Sequence, residues 1–143
     1  MSRPYSQVIT KGFVSAVLAI VGATQTAAGT TFDTKQAARN SLSAQIDYNI
    51  KTTSITFTAV WEVYDAGAAA WVPVAPSNGA ANVAFATGTG TDVAGSIVLD
   101  APRAVYGYPL CRCVVQNAVE SGVGSTHDNV TISYSFDKST NGS

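Results

Sequence analysis

Between Leu42 and Val74 the alternation of apolar and polar side chains is at its cleanest, and that periodicity restricts the fold more than anything else in the chain. Leu42, Ala44, Ile46, Tyr48 and Ile50 alternate with Ser43, Gln45, Asp47, Asn49 and Lys51. Ile55, Phe57, Ala59, Trp61 and Val63 then alternate with Ser54, Thr56, Thr58, Val60 and Glu62. Successive side chains of a β-strand point to opposite faces, so each run is a strand with one apolar face and one wet face. Tyr64-Asp65-Ala66-Gly67 reads as a turn, and Trp71-Val72-Pro73-Val74 as the strand that returns from it. An apolar sheet face has to be covered by a second layer.

Further strands follow from the same reading. Val83 to Ala86, Gly95 to Leu99, Leu110 to Gln116 and the alternating set Val130, Ile132, Tyr134 and Phe136 are separated by Gly-, Pro- and Asn-bearing loops. Pro102 and Pro109 frame an irregular, Tyr-bearing connection. Asp33 followed by Gln36 has the spacing of a capping box, which allows one helical turn over Thr34 to Arg39; a long loop is the alternative. The expected fold is an all-β antiparallel sandwich, jelly-roll or immunoglobulin-like, of about seven to nine strands with little helix. The expected division is an N-terminal arm or strand over residues 1–30 and a β-sandwich domain over residues 31–143.

The N-terminal region has two readings. Arg3 and Lys11 precede the apolar run from Phe13 to Val21, and small residues follow through Gly29, which is the order of an export signal. The run is too short to cross a bilayer as a helix. As a strand buried on both sides it would set Val14, Ala16, Leu18 and Ile20 on one face and Phe13, Val17 and Val21 on the other. The strand is the expectation.

Charge enters as a constraint on partners. Of 143 residues only 12% are charged while 46% are hydrophobic, and the net charge is −1. Soluble domains carry about 25% charged residues. The scattered Lys and Arg make no basic field, which argues against direct nucleic-acid binding. So little charge poorly protects a free monomer from association, so the chain is expected to live in an assembly as a homo-oligomer, not in a membrane.

Chemistry-bearing residues form no constellation. Cys111 and Cys113 share a strand face, cannot close a disulfide with each other without distorting the backbone, and lack the further ligands of a structural zinc. His127, the only histidine, sits in a Gly-rich loop with no nucleophile motif to serve. Gly88, Gly90 and Gly95 lack the Lys-Ser/Thr ending of a phosphate loop. The nine acids are dispersed, and the sequons at Asn129 and Asn141 are short enough to arise by chance. No catalytic residue, cofactor or metal site is expected. Phe13, Val17, Leu18, Trp71, Tyr106 and Tyr108 are the candidate interface residues, the aromatics because they lie near loops or strand ends.

The segment Thr56 to Val74 (TFTAVWEVYDAGAAAWVPV), with Ala101-Pro102-Arg103 and the ending Asn129 to Phe136 (NVTISYSF), resembles small virion proteins of tailed bacteriophages, head decoration or cement proteins first among them. The resemblance implies a β-sandwich subunit, often trimeric, that binds the major capsid protein or neighbouring subunits and is assembled into the virion in the host cytoplasm. It implies no enzymatic activity. A neck, tail or fibre component of the same particle is one alternative. An exported carbohydrate-binding sandwich that uses Trp71, Tyr106 or Tyr108 is another.

Overall fold

The two alternating runs form long strands, and these lie in different sheets. The structure, a computed structural model, describes residues 9–12, 18–20, 25–51, 55–74, 83–86, 93–120 and 128–139. In chain order its strands are β1 (Ile9–Gly12), β2 (Leu18–Ile20), β3 (Gln25–Ala28), β4 (Phe32–Asp33), β5 (Ser43–Ile50), β6 (Ile55–Asp65), β7 (Ala70–Val74), β8 (Val83–Ala86), β9 (Val93–Asp100), β10 (Leu110–Glu120) and β11 (Asp128–Asp137). Among the described residues the helical pieces are two 3-10 turns, Thr34–Gln36 and Arg103–Gly107.

These eleven segments reduce to eight rows in two antiparallel sheets. One sheet runs β1-β11-β5-β9, with β2 continuing the β1 row along β11. The other runs β3-β10-β6-β7, with β4 continuing the β3 row along β10 and β8 continuing the β7 row along β6. Numbered along the chain, the first row pairs with the eighth, the second with the seventh, the third with the sixth and the fourth with the fifth. Pairings of β11 with β5 and of β10 with β6 join the two halves.

The chain is therefore one long hairpin rolled up so that consecutive rows alternate between sheets, except across the β6–β7 turn. This is the connectivity of a jelly roll. An immunoglobulin-like sandwich keeps several consecutive strand pairs within one sheet, and only one pair does so here.

The inner faces follow the period-two sets. Ala44, Ile46 and Ile50 of β5 face Ile55, Phe57, Ala59, Trp61 and Val63 of β6 across the sandwich, and all are buried. Val130, Ile132, Tyr134 and Phe136 of β11 and Cys111, Cys113 and Val115 of β10 complete the core. Burying an aliphatic or aromatic side chain of this size contributes roughly 1.5–3 kcal/mol. On β10 the alternation ends at a bulge: the register shifts between Gln116 and Val119, and Ala118 takes the next inward place. That break in period two is why the sequence reading stops this strand at Gln116, four residues short of its end.

Of the single strand expected over Phe13 to Val21, the structure describes Leu18–Ile20, which is the strand β2. Ile9–Gly12 and Leu18–Ile20 lie end to end along β11, and Ile20 is fully buried. Phe13, Val14, Ala16, Val17 and Val21 lie outside the described residues. The helical turn after Asp33 is present but shorter than expected. Asp33 Oδ1 accepts the Lys35 backbone N–H at 3.0 Å, and the turn ends when Ala37 N–H bonds the Thr34 carbonyl at 3.2 Å.

Candidate functional site

The cysteines are the first candidates for chemistry, and their surroundings disable them. Cys111 and Cys113 are free and point into the core. Desolvation by burial pushes each thiol from its ordinary 9.0 up to about 12. The thiolate is the form that attacks or ligates, so at neutral pH both are inert apolar filler. Among the described residues no group of three or more His, Cys, Asp or Glu side chains is placed to hold a metal ion. His127, Gly88 and Gly90 lie outside the described residues. Gly95 is on β9 directly opposite Tyr48, whose ring occupies the space a Cβ would need.

The candidate interface residues separate into different roles. Phe13 and Val17 are outside the described residues, and Leu18 is paired through its backbone with Val130. Tyr106 is a strut: its hydroxyl accepts the Leu42 backbone N–H at 3.0 Å, and burial raises its pKa above the usual 10.0. Tyr108 is exposed, at the end of the 3-10 turn that precedes β10.

Trp71 is half-buried on the outer face of the β6–β7 hairpin. Its ring meets Tyr64, directly opposite on β6, edge-on at 5.4 Å. The Arg112 guanidinium sits 4.2 Å from the Trp71 ring centroid and donates from Nε to Glu62 Oε1 at 2.9 Å. Arg112 and Glu62 are direct cross-strand partners, and Glu62 is only 8% exposed. The result is a row of aromatic, cation and anion fixed across β7, β6 and β10. A cation over an indole is worth roughly 0.5–1 kcal/mol at exposed sites. The sequence marks Trp71 and Tyr64 as surface aromatics but not Glu62 and Arg112 beside them, because those two are 50 residues apart and only the β6–β10 register joins them.

On the outer face of the other sheet, Asp47, Asn49, Ser96, Asn129 and Thr131 line a shallow polar dish of about 300 Å³. All five occupy outward positions on β5, β9 and β11. Asp47 Oδ1 is held by Gln45 Nε2, which donates at 2.7 Å, and by the Ser96 hydroxyl. The alternating polar residues of β5 and β11 were the available signal for this surface, but their adjacency needed the β5–β11 and β5–β9 pairings.

The chain matches no protein-family model, and no curated protein matches it significantly.

Proposed function

We propose that this protein is a non-enzymatic structural subunit of a phage virion, a capsid cement or decoration protein that stabilises the particle through subunit contacts. The observation that carries the reading is the jelly-roll connectivity, an architecture that recurs in viral coats, built here from a chain with half the usual charge. Fold alone is analogy. What gives it weight is the chemistry of the described surface: Thr, Ser and Ala at many of its exposed positions, and Trp71 held ready by Arg112 and Tyr64. An aromatic already fixed in its rotamer loses little entropy when a partner covers it.

The partners are the major capsid protein or neighbouring copies, and neck, tail or fibre placement is the variant within this class. Purified phage particles fractionated by density and analysed by mass spectrometry test it. The expected result is this chain in regular copy number, and its removal should lower the temperature at which the particles burst. A chain that never co-sediments with particles overturns the proposal.

The dish of Asp47, Asn49, Ser96, Asn129 and Thr131 favours a second reading, a carbohydrate-binding module, because an oriented carboxylate beside amides and hydroxyls suits a vicinal diol. This differs from a site built on Trp71, Tyr106 and Tyr108. Glycan-array binding that is lost in Asp47→Ala would establish it, and a blank array would remove it.

A further inference from the structure

Four rows of the sandwich end in an edge. Among the described residues, three of them consist of segments of two to five residues: β1 with β2, β3 with β4, and β7 with β8. The β7 edge also carries Pro73, which has no backbone N–H to offer another strand. The fourth edge, β9, has neither protection. It is eight continuous residues, Val93–Asp100, paired along its whole length with β5, and it contains no Pro, Lys or Arg. Among the described residues nothing pairs with its other side. Its outward face is exposed at Ala94, Ser96, Val98 and Asp100, with Val98 at 62%, and Ile97 and Leu99 are only half-covered on the inner face. Natural sheets blunt such edges with charge, proline or brevity, and this one is left open.

We infer that β9 is a self-pairing edge: a second copy of this chain adds antiparallel to it and joins two four-row sheets into one continuous sheet of eight. Charge and side-chain size select a second copy, and parity restricts the register in which it pairs. Directly opposed residues of an antiparallel pair share a face, so the register must match even with even and odd with odd positions. The register that centres Ile97 on its own symmetry mate does this. It sets Gly95 against the partner copy's Leu99, Ser96 against its Val98 and Ala94 against its Asp100, so large side chains meet small ones in every pair but the central one. The strand's one charge, Asp100, then lies at opposite ends of the two copies. A basic or acidic peptide would find almost no counter-charge along this strand, whereas the strand itself is its own complement. The inference deepens the assembly role proposed above and rests on it for its use in a particle.

Sedimentation equilibrium of the full chain over a wide concentration range provides the test. The expected result is a reversible monomer–dimer equilibrium whose dissociation constant rises about tenfold or more in Val98→Glu, because the introduced carboxylates of the two copies lie diagonally across the new pairing. Val98 is exposed, so the thermal melt of the diluted variant should match that of the wild type. A mixture of Ser96→Cys and Val98→Cys chains should form a disulfide-linked dimer on oxidation, and Val98→Cys alone should not. The buried Cys111 and Cys113 thiols do not compete. A wild type that stays monomeric throughout, a Val98→Glu variant that dimerises equally well, or self-crosslinking of Val98→Cys would each overturn the inference. A dimer that never enters particles would instead sink only the virion reading, and a Val98→Glu chain that enters particles normally would sink only the use of β9 there.

Discussion

Tyr134 joins the two sheets through a single hydroxyl. The oxygen accepts the Cys113 backbone N–H at 3.0 Å and donates to the Thr30 carbonyl at 2.5 Å. It can lie there because residue 29 is glycine: a Cβ on Gly29 would come within 2.7 Å of the Tyr134 oxygen and 2.9 Å of the Cys113 carbonyl. Tyr134→Phe keeps the ring packing on Trp61 and Phe32 but orphans a buried N–H. It should cost about 1–3 kcal/mol, read as a lower denaturant midpoint at unchanged slope. The neighbouring thiols make stability depend on alkaline pH. Burial raises Cys111 and Cys113 above their ordinary value, so between about 9 and about 12 the folded chain holds protons that the unfolded chain has released. Their contribution is complete below the unfolded value and is lost as pH climbs toward the folded one. Each thiol should steepen the loss by up to about 1.4 kcal/mol per pH unit in that window. Denaturant titrations at about pH 8 and about pH 10 should show the drop in the wild type and a smaller one in Cys111→Ala/Cys113→Ala. The inward placement of these residues was legible in period two. Their mutual contacts were not, since Tyr134 and Cys113 belong to different sheets.

The hairpin of β6 and β7 shows what a short element asks of its turn. Asp65 Oδ1 accepts the Gly67 N–H at 2.9 Å and the Ala68 N–H at 3.3 Å, which fixes the four-residue loop and pins the Asp65–Ala70 closing pair. The loop nevertheless places Ala69 at φ 52°, a left-handed conformation that crowds a Cβ against the carbonyl. Ala69→Gly should relieve that crowding and raise stability by about 0.5–1 kcal/mol, measured by reversible melting. The sequence shows why a turn exists here, with Asp65 and Gly67 flanked by alternating runs. It does not show that the residue needing φ > 0 is the alanine. β5 is readable end to end, and β6 and β11 to within two residues of one end, because each presents an apolar face at period two. The segments β1 to β4 are not, because a strand of two to four residues holds at most two turns of the pattern. Nor does alternation reveal how many neighbours a strand has, which is why the open side of β9 becomes visible only once the sheet order is known.

Across the whole molecule, the class of fold follows from one-sided strands, but the choice of jelly roll over immunoglobulin-like sandwich depends on which sheet each row joins. Both arrangements bury the same residues, so the sequence leaves them equal. The rolled hairpin has a consequence for the N-terminal region: its first row lies beside its last. β1 and β2 pair with β11 along both ends of that strand, β3 pairs with β10, and Ile20 is buried beneath them. An export signal would be removed along with this row, whereas a sandwich that uses it must keep it. A chain beginning at residue 29 would expose an edge of β11 and of β10 at once and would lose Ile20 and Ala27 from the core. Truncating one buried Ile costs about 2–5 kcal/mol, and a domain has about 5–15 kcal/mol in all. The truncated chain should therefore lack a cooperative melt and bind a hydrophobic dye, while Ile20→Ala in the full chain should fold with a melt lowered in proportion. A cooperative melt from the truncated chain, equal to that of the full one, would mean that β1 to β3 are an accessory to the sandwich rather than part of it.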